Sequence, residues 1–570
     1  MNLRVSHIAT CMGSEKESKS SVRLEDDSAN DERTKLQVEE TPAQVKGPVK
    51  NVDDFLRIGW YTLYAGTTAE FVVFNMLSNM VFMVYSGAAP VVKSCGNFHA
   101  NTTDGDICDQ YSHWRAKNEC VPELDYQFLS ANVEFDYLCG EGKAVKNSIS
   151  VQMLGVLLGT LIFGQLSDSF GRRKVLFICT IAAIILGAAS SFSNSLWSLT
   201  LWRAATGCFA GGEVIVLNVY LMEQVPKNHR LWISTVVTWS PNFIILAGVA
   251  YISYDWRSLA RAISLLTLPV IPLLYFSCES PRWLFQKGKI EETRKALRRI
   301  RGKKASEDTK EEVEIERMLA AEAQRADDGA NRKQHYVYHL FYTWELARYT
   351  IVIASGLFVT SIINYGLLFN MEKLSGSIYL NSAFFGLFRW SMNITVGAID
   401  YFVKCAGRKK IHFFALAFIA ISIAIAFAIF AFKLTPDYQF LIRYCALAAA
   451  AMCSQLYLTK TVVMVELYPT AIRNIANSFM GLLSRFGNTL APQIFYLGDY
   501  WKPLPYLTMM ILALIDLSNF QLFIPETKGK PLKDHLPGPD ECIWKRKKKP
   551  AIASTAATDK DETETKENTV

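Results

Sequence analysis

Charge is what this 570-residue chain is short of: Asp, Glu, Lys and Arg make up 20% of it, against roughly 25% in an ordinary soluble chain. Most of the chain is nearly bare of it. Of the 113 charged residues (60 basic, 53 acidic), 67 fall within 1–54, 279–348 and 525–570, leaving 46 for the other 400 positions. A soluble protein spreads charge over its whole surface, so the pattern speaks against a soluble multidomain enzyme, a disordered chain and a collagen-like fibre. A G-x₄-GK[ST] phosphate loop is also missing, which argues against an ATP-driven pump. The eight His form no H-E-x-x-H or comparable set. No catalytic residue, metal site or cofactor is expected, and nucleic acid is an improbable partner for such a core.

Long apolar runs are what the chain has instead. A helix needs about 20 mostly apolar residues to cross a bilayer, because lipid offers no partner to an open backbone group. Twelve runs qualify: 60–86, 148–166, 175–193, 197–221, 232–253, 257–277, 346–370, 378–402, 411–432, 439–462, 475–497 and 503–524. The expectation is an all-α membrane protein of twelve transmembrane helices. The third, ninth and twelfth are apolar enough to pass as simple lipid-facing anchors; the rest carry polar groups suited to helix contacts or a watery cavity. An even number of spans puts both termini on one side. Arg172, Arg173 and Lys174, then Arg408, Lys409 and Lys410, then Arg473 and the run Lys545–Lys549 mark that side as cytoplasmic by the positive-inside tendency. The first 50 residues are too polar for a cleaved signal peptide.

This topology divides the chain into a disordered cytoplasmic tail (1–54), a first six-helix half (55–278), a cytoplasmic loop (279–345), a second half (346–524) and a cytoplasmic tail (525–570). The extracellular loop 87–146 holds Cys95, Cys108, Cys120 and Cys139, an even set that suggests two disulfides of open connectivity in an oxidising compartment. Zinc is disfavoured because no two of them form a close C-x₂₋₄-C pair. Asn101-Thr-Thr in the same loop is a glycosylation acceptor. The loop 279–345 reads as solvated surface helices, with Glu and Lys or Arg at i,i+4.

The two halves echo each other. Glu223-x-x-Pro-x-x-x-Arg230 recurs as Glu466-x-x-Pro-x-x-x-Arg473, Arg203 and Arg443 open the same helices, and Gly171-Arg-Arg-Lys recurs as Gly407-Arg-Lys-Lys. Glu279-Ser-Pro-Arg282 is answered by Pro525-Glu526-Thr-Lys528. Two repeated six-helix halves suit a carrier that rocks around a central site, whereas a channel has no need of such motifs. The expectation is a cytoplasmic latch across the seam, closed in the outward-facing state, built from Asp168, Gly171, Arg172, Arg203, Glu223, Arg230, Glu279, Arg282, Glu466, Arg473 and Glu526. The rival reading is a positive-inside rim that only sets topology.

The string GQLSDSFGRRK (164–174) resembles the G-x-x-x-D-x-x-G-R-R-K signature of the major facilitator superfamily. The cysteine-bearing loop, Arg203-x₃-Gly207-x₄-Gly212, ESPRWL (279–284), ELYPTAIRN (466–474) and PETKGKPL (525–532) narrow the resemblance to the organic cation/anion/carnitine transporters, solute carrier family 22. It runs from about residue 55 to 532. There are departures: four loop cysteines in place of six, Cys278 in place of a proline, and Lys404 where the second signature would carry an acid, so that no second acidic partner is expected.

The resemblance implies a plasma-membrane, multi-pass, polyspecific transporter of small organic ions working by alternating access. In that family a charge midway along helix eleven resembles a substrate-polarity switch, and the aligned residue here is Arg485. With Arg389 it would give a positive cavity for an organic anion, Arg gripping a carboxylate bidentately, with Trp239, Phe243, Tyr365, Trp390 and Tyr457 cradling the organic body. In the other reading, Glu70 and Glu213 neutralise the two arginines. Asn393, where anion carriers usually place Lys, weakens the anion case, and cations, carnitine-like zwitterions or a non-transporting sensor stay open. Lys460 is expected to snorkel. A counter-ion or exchange substrate and the oligomeric state are left open.

Overall fold

The computed structural model describes residues 52–528 except 96–97, 100–110, 112–120, 140–141, 227–237, 303–308, 328–335, 372–373 and 404–406. Apart from 52–54 and 525–528, the expected tails lie outside these residues, as do Arg230, Asn101, Cys108 and Cys120. The fold is all-α and membrane-embedded, with twelve helices in two pseudo-symmetric groups of six. The first group comprises α1 (Trp60–Ser86), α2 (Gly142–Phe170), α3 (Arg172–Ser190), α4 (Leu196–Gln224), α5 (Trp239–Ser253) and α6 (Trp256–Phe276). The second comprises α7 (Trp344–Phe369), α8 (Ile378–Phe402), α9 (Arg408–Ala431), α10 (Gln439–Leu467), α11 (Thr470–Leu490) and α12 (Leu504–Phe523). Nine are long and apolar enough to cross a bilayer; α5 is short, and α8 and α11 are too polar.

Local chemistry fixes several helix starts. Ser195, Asp255 and Thr343 accept the backbone N–H of Ser198, Ser258 and Leu346 at 3.2, 2.8 and 3.2 Å, satisfying donors that the first helical turn leaves open. Within the first half α2 and α4 touch backbone to backbone: a side chain at Gly159 would place its Cβ 1.8 Å from the Cys208 carbonyl oxygen. In the second half α8 and α10 are joined by hydrogen bonds instead. Ser454 Oγ and Gln455 Nε2 both donate to Asn393 Oδ1 at 2.6 Å.

After α1 the chain forms a small antiparallel sheet of β1 (Val91–Cys95), β2 (Phe98–His99) and β3 (Pro122–Asp125), in the order β2-β1-β3. Cys139 is disulfide-bonded. Its side of the bundle is called the loop end here, and the side of the repeated motifs the motif end.

The segment 279–345 is more than solvated surface. Helix Ile290–Arg301 buries Leu297 and Ile300 against Ile315, Met318 and Leu319 of helix Thr309–Asp327, and against Val52, Phe55 and Leu56. Residues 52–56 thus pack rather than continue the tail. Arg294 and Arg298 pair with Glu316 and Glu312 at 2.5 Å around this apolar centre.

Candidate transport site

The mid-helix charges separate by half. Arg389 (α8) and Arg485 (α11) are half-buried and both lie within electrostatic reach of the buried Tyr365 of α7. Tyr457 of α10 joins them, donating to Ser361 Oγ at 2.8 Å, and Ser361 meets Ser484 at 2.7 Å. Neither arginine has a carboxylate partner among the described residues, and Arg389 Nε is buried without an acceptor.

The carboxylates of the first half are held by amides. Asn242 Nδ2 donates to Glu70 Oε1 at 3.0 Å, and Asn75 Nδ2 to Glu213 Oε1 at 2.8 Å. Glu70 and Glu213 therefore do not neutralise the arginines in this structure. The aromatic expectations divide too. Phe243 is buried in an edge contact with Phe385 of the other half, 4.7 Å between centroids, so it packs the seam. Trp239 is half-buried and Trp390 exposed.

Lys460 does not snorkel. Its side chain is fully buried and its Nζ lies 2.6 Å from Asp516 Oδ2 of α12 and 2.9 Å from Thr360 Oγ1 of α7. An ammonium in the bundle interior is stable only when paired, and Asp516 supplies the pair. So α12 is not a plain lipid anchor, and neither is α9, whose His412 is buried and stacked on Phe520 at 3.6 Å. One acid in an otherwise apolar run was the available signal for Asp516.

Arg203 also needs correction. It sits near the loop end of α4, some twenty residues or about 30 Å of helix from Glu223, because α4 runs from the loop end to the motif end. There it donates to Asn79 Oδ1 at 3.2 Å and Gln152 Oε1 at 3.4 Å and stacks on Phe82. It braces α1, α2 and α4 and is no part of the motif-end charges.

The remaining motif residues form two matching clusters, one per half, and not a ring across the seam. In the first, Arg172 meets Asp168 and, at 3.5 Å, Glu223, while Glu279 Oε1 accepts the Arg173 N–H at 2.9 Å. Gly171, at φ +111°, permits the turn that L side chains disfavour. In the second, Arg408 meets Glu466 at 3.5 Å and Asp400 at 2.6 Å, and Glu526 accepts the N–H groups of Arg408 and Lys409 at 2.8 and 3.1 Å. A second acid is present nonetheless: Asp400, four residues before Lys404 in the sequence, pairs with Arg408 and also binds Lys528 at 3.0 Å. Arg473 bonds the Tyr468 carbonyl at 3.2 Å and Arg282 is exposed.

The halves meet at the loop end. Gln127 Nε2 donates to the Gly376 carbonyl at 3.1 Å, its Oε1 accepts the Ile378 N–H at 2.9 Å, and its own carbonyl accepts Tyr379 Oη at 2.9 Å. Gln493 donates to Ser150 at 2.9 Å, Tyr496 to the Lys143 carbonyl at 2.7 Å, and Lys143 pairs with Asp499 at 2.7 Å. The same outer segment is fastened to the first half by Glu134, which binds Arg257 at 2.6 Å and Trp256 Nε1 at 2.6 Å.

A duplicated six-plus-six bundle, closed at one end over unpaired mid-membrane charges, is that of a membrane transporter of the major facilitator fold and not of an enzyme. The chain belongs to the sugar (and other) transporter family, whose model matches residues 76–535. It is similar to the organic cation transporter protein of Drosophila melanogaster, 29% identical over 81% of both chains. Solute carrier family 22 member 16 of Xenopus laevis is 29% identical over 70% of this chain and 69% of its own. Member 7 of Mus musculus is 26% identical over 73% and 75%. The resemblance to solute carrier family 22 is thus matched over most of the chain. In fold, the xylose transporter XylE of E. coli in its inward-open conformation superposes with a TM-score of 0.57 at 17% identity, covering 82% of this chain and 97% of that one.

Proposed function

We propose that the chain is a plasma-membrane carrier of small organic ions, polyspecific and selective for organic anions, working by alternating access. The observation that carries the reading is the pair Arg389 and Arg485, which share Tyr365 and Tyr457 without a carboxylate to neutralise them. A charge at mid-bilayer costs a few kcal/mol even on permissive scales, so two unpaired guanidiniums make sense when a substrate carboxylate or sulfonate completes them. The motif end is assigned to the cytoplasm on its excess of Lys and Arg. With the loop end sealed, the described state would then be inward-facing, and the motif-end clusters would be the open form of the latch. In the outer loop we assign two disulfides among Cys95, Cys108, Cys120 and Cys139 and a glycan at Asn101.

A second reading rests on Glu70, whose Oε2 is buried without a partner. A carboxylate so placed favours a zwitterion or cation, as do the names of some relatives. Uptake of a labelled organic anion beside a labelled quaternary ammonium, in oocytes expressing wild type and Arg485→Asp, tests both. The anion reading expects anion flux in the wild type and a loss of about tenfold or more in the variant. Flux of the quaternary ammonium alone would refute it, and flux of neither would leave the sensor. For the latch, Glu466→Gln should shift the inward-versus-outward accessibility of engineered cysteines.

A further inference from the structure

A second charged centre lies inside the second half, and its Cys453 faces Arg389 as well. Lys460 and Asp516 have side chains 0% and 1% exposed, and His412 beside them is fully buried. Four helices enclose the group. From α7 come Thr360, which accepts from Lys460, and Gly356, where a Cβ would fall 2.5 Å from Asp516 Oδ1 and 2.7 Å from Lys460 Nζ. From α9 comes His412, from α10 Lys460 and Cys453, and from α12 Asp516 and Phe520. The titratable groups facing one another are therefore Lys460, Asp516, His412 and Cys453. Three polar atoms among them are buried without a partner: Asp516 Oδ1 and both ring nitrogens of His412.

A static brace does not look like this. Structural polar clusters satisfy their atoms, because each buried atom left open costs about 1–3 kcal/mol. Here the open atoms are a carboxylate oxygen and an imidazole, both of which take up protons. The centre also has neighbours on two sides. Arg408 of the motif-end cluster is four residues before His412, on the same face of α9. Towards the arginines, Thr360 adjoins Ser361, and Lys460 stands one turn from Tyr457.

We propose that Asp516, Lys460 and His412 form a proton-binding site, loaded and emptied once in each transport cycle. In the loading step a proton from the face to which the bundle is open reaches Oδ1 of Asp516, the buried carboxylate oxygen that has no partner. The Lys460–Asp516 contact then opens, the acid becomes neutral, and Lys460 keeps its charge and its bond to Thr360. Release to the opposite face, after the bundle has switched its opening, reverses this; one proton crosses and no electrons move. Loading adds one positive charge to the half that holds Arg389 and Arg485. An anionic substrate and a proton are thus carried together, whereas a cationic substrate and a proton are exchanged. The sign of the pH effect reports the substrate, and its existence reports the site.

The experiment measures uptake of a labelled organic anion and a labelled quaternary ammonium at mildly acidic and neutral external pH. It uses wild type, Asp516→Asn and the volume-matched double variant Lys460→Met/Asp516→Leu, with surface labelling of each protein. Replacing a buried pair with apolar residues is often tolerated where removal of one partner is not, so the double variant guards against a folding failure of the single one. Wild-type uptake should change by up to about tenfold per pH unit. Variants at the surface should still exchange labelled for unlabelled substrate, with a pH response below about twofold. A flat wild-type profile, a variant that keeps the wild-type profile, or a surface-expressed double variant that also loses exchange would each overturn the proposal. Should wild type carry neither ion, the transport reading fails instead. The site is then read from the purified protein: its thermal stability should vary with pH differently from that of the double variant, and equal profiles would sink it.

Discussion

The first and second halves repeat one architecture but hold their buried polar groups by opposite means. In the first, α2 and α4 close on glycine with backbone touching backbone, and the half-buried Glu70 and buried Glu213 rest on amides. In the second, α8 and α10 are joined through Asn393, the cations Arg389 and Arg485 are half-buried without a carboxylate among the described residues, and the buried Lys460 pairs with the buried Asp516. The halves agree at the motif end, where Arg172–Glu223 and Arg408–Glu466 have the same 3.5 Å spacing and Glu279 and Glu526 cap the starts of the earlier helices α3 and α9. The shared rim serves the motion both halves perform; the differing interiors suit a ligand that each half grips differently.

The sharpest break of the comparison is Gly159→Leu against Gly397→Leu. The first forces α2 from α4 and should cost several kcal/mol, at or beyond the roughly 1–3 kcal/mol usual for overpacking, and it should abolish a monodisperse peak in size-exclusion chromatography. The second meets nothing within 4 Å and should elute like wild type. Next come the rim arginines. Arg408 faces two acids that are each about one-fifth exposed, whereas one partner of Arg172, Asp168, is 71% exposed. Solvent weakens the latter pair, so Arg408→Gln should lower the thermal midpoint more than Arg172→Gln, by about 1–2 kcal/mol against under about 1 kcal/mol. Equal losses would mean that the clusters are equivalent.

The smallest effect is pH-dependent. Burial pushes the Glu526 carboxyl up, but the main-chain N–H groups of Lys528, Lys409, Arg408 and Thr527 more than offset it and hold it below the usual glutamate range. A depressed value stabilises the fold above the ordinary pKa, and that contribution fades as pH falls through the lowered one. Glu526→Gln should therefore melt below wild type at neutral pH, with the gap narrowing in acid. A gap that is constant with pH would remove this account.

The twelve helices were legible because apolar length is a local property, and α4 with α10 could be paired because their terminal motifs repeat. Arg389, Arg485, Tyr365 and Tyr457 could be grouped for a similar reason: each sits at mid-span in its helix. What was not legible depends on rotation about the helix axis and on run direction. Lys460 lies close enough to a helix end to snorkel, and only its facing towards α12 reveals Asp516. Arg203 belongs to the same repeat as Glu223, yet the direction of α4 puts them at opposite ends. Asp400 escaped because it stands four residues earlier in the sequence than the position where the motif carries its acid.

Gln127 holds the second half almost wholly through main-chain atoms: it meets the carbonyl of Gly376 and the amide of Ile378, and lends its own carbonyl to Tyr379. That stretch is nevertheless constrained in its own right: Gly376 sits at φ +87° with Arg443 where a Cβ would fall, and Ile378 is buried in the core. Substituting Gln127 itself removes two of the three bonds at once. A saturation library over these positions would show intolerance on both sides of the seal, at 127 through lost bonds and at 376 and 378 through backbone conformation and packing.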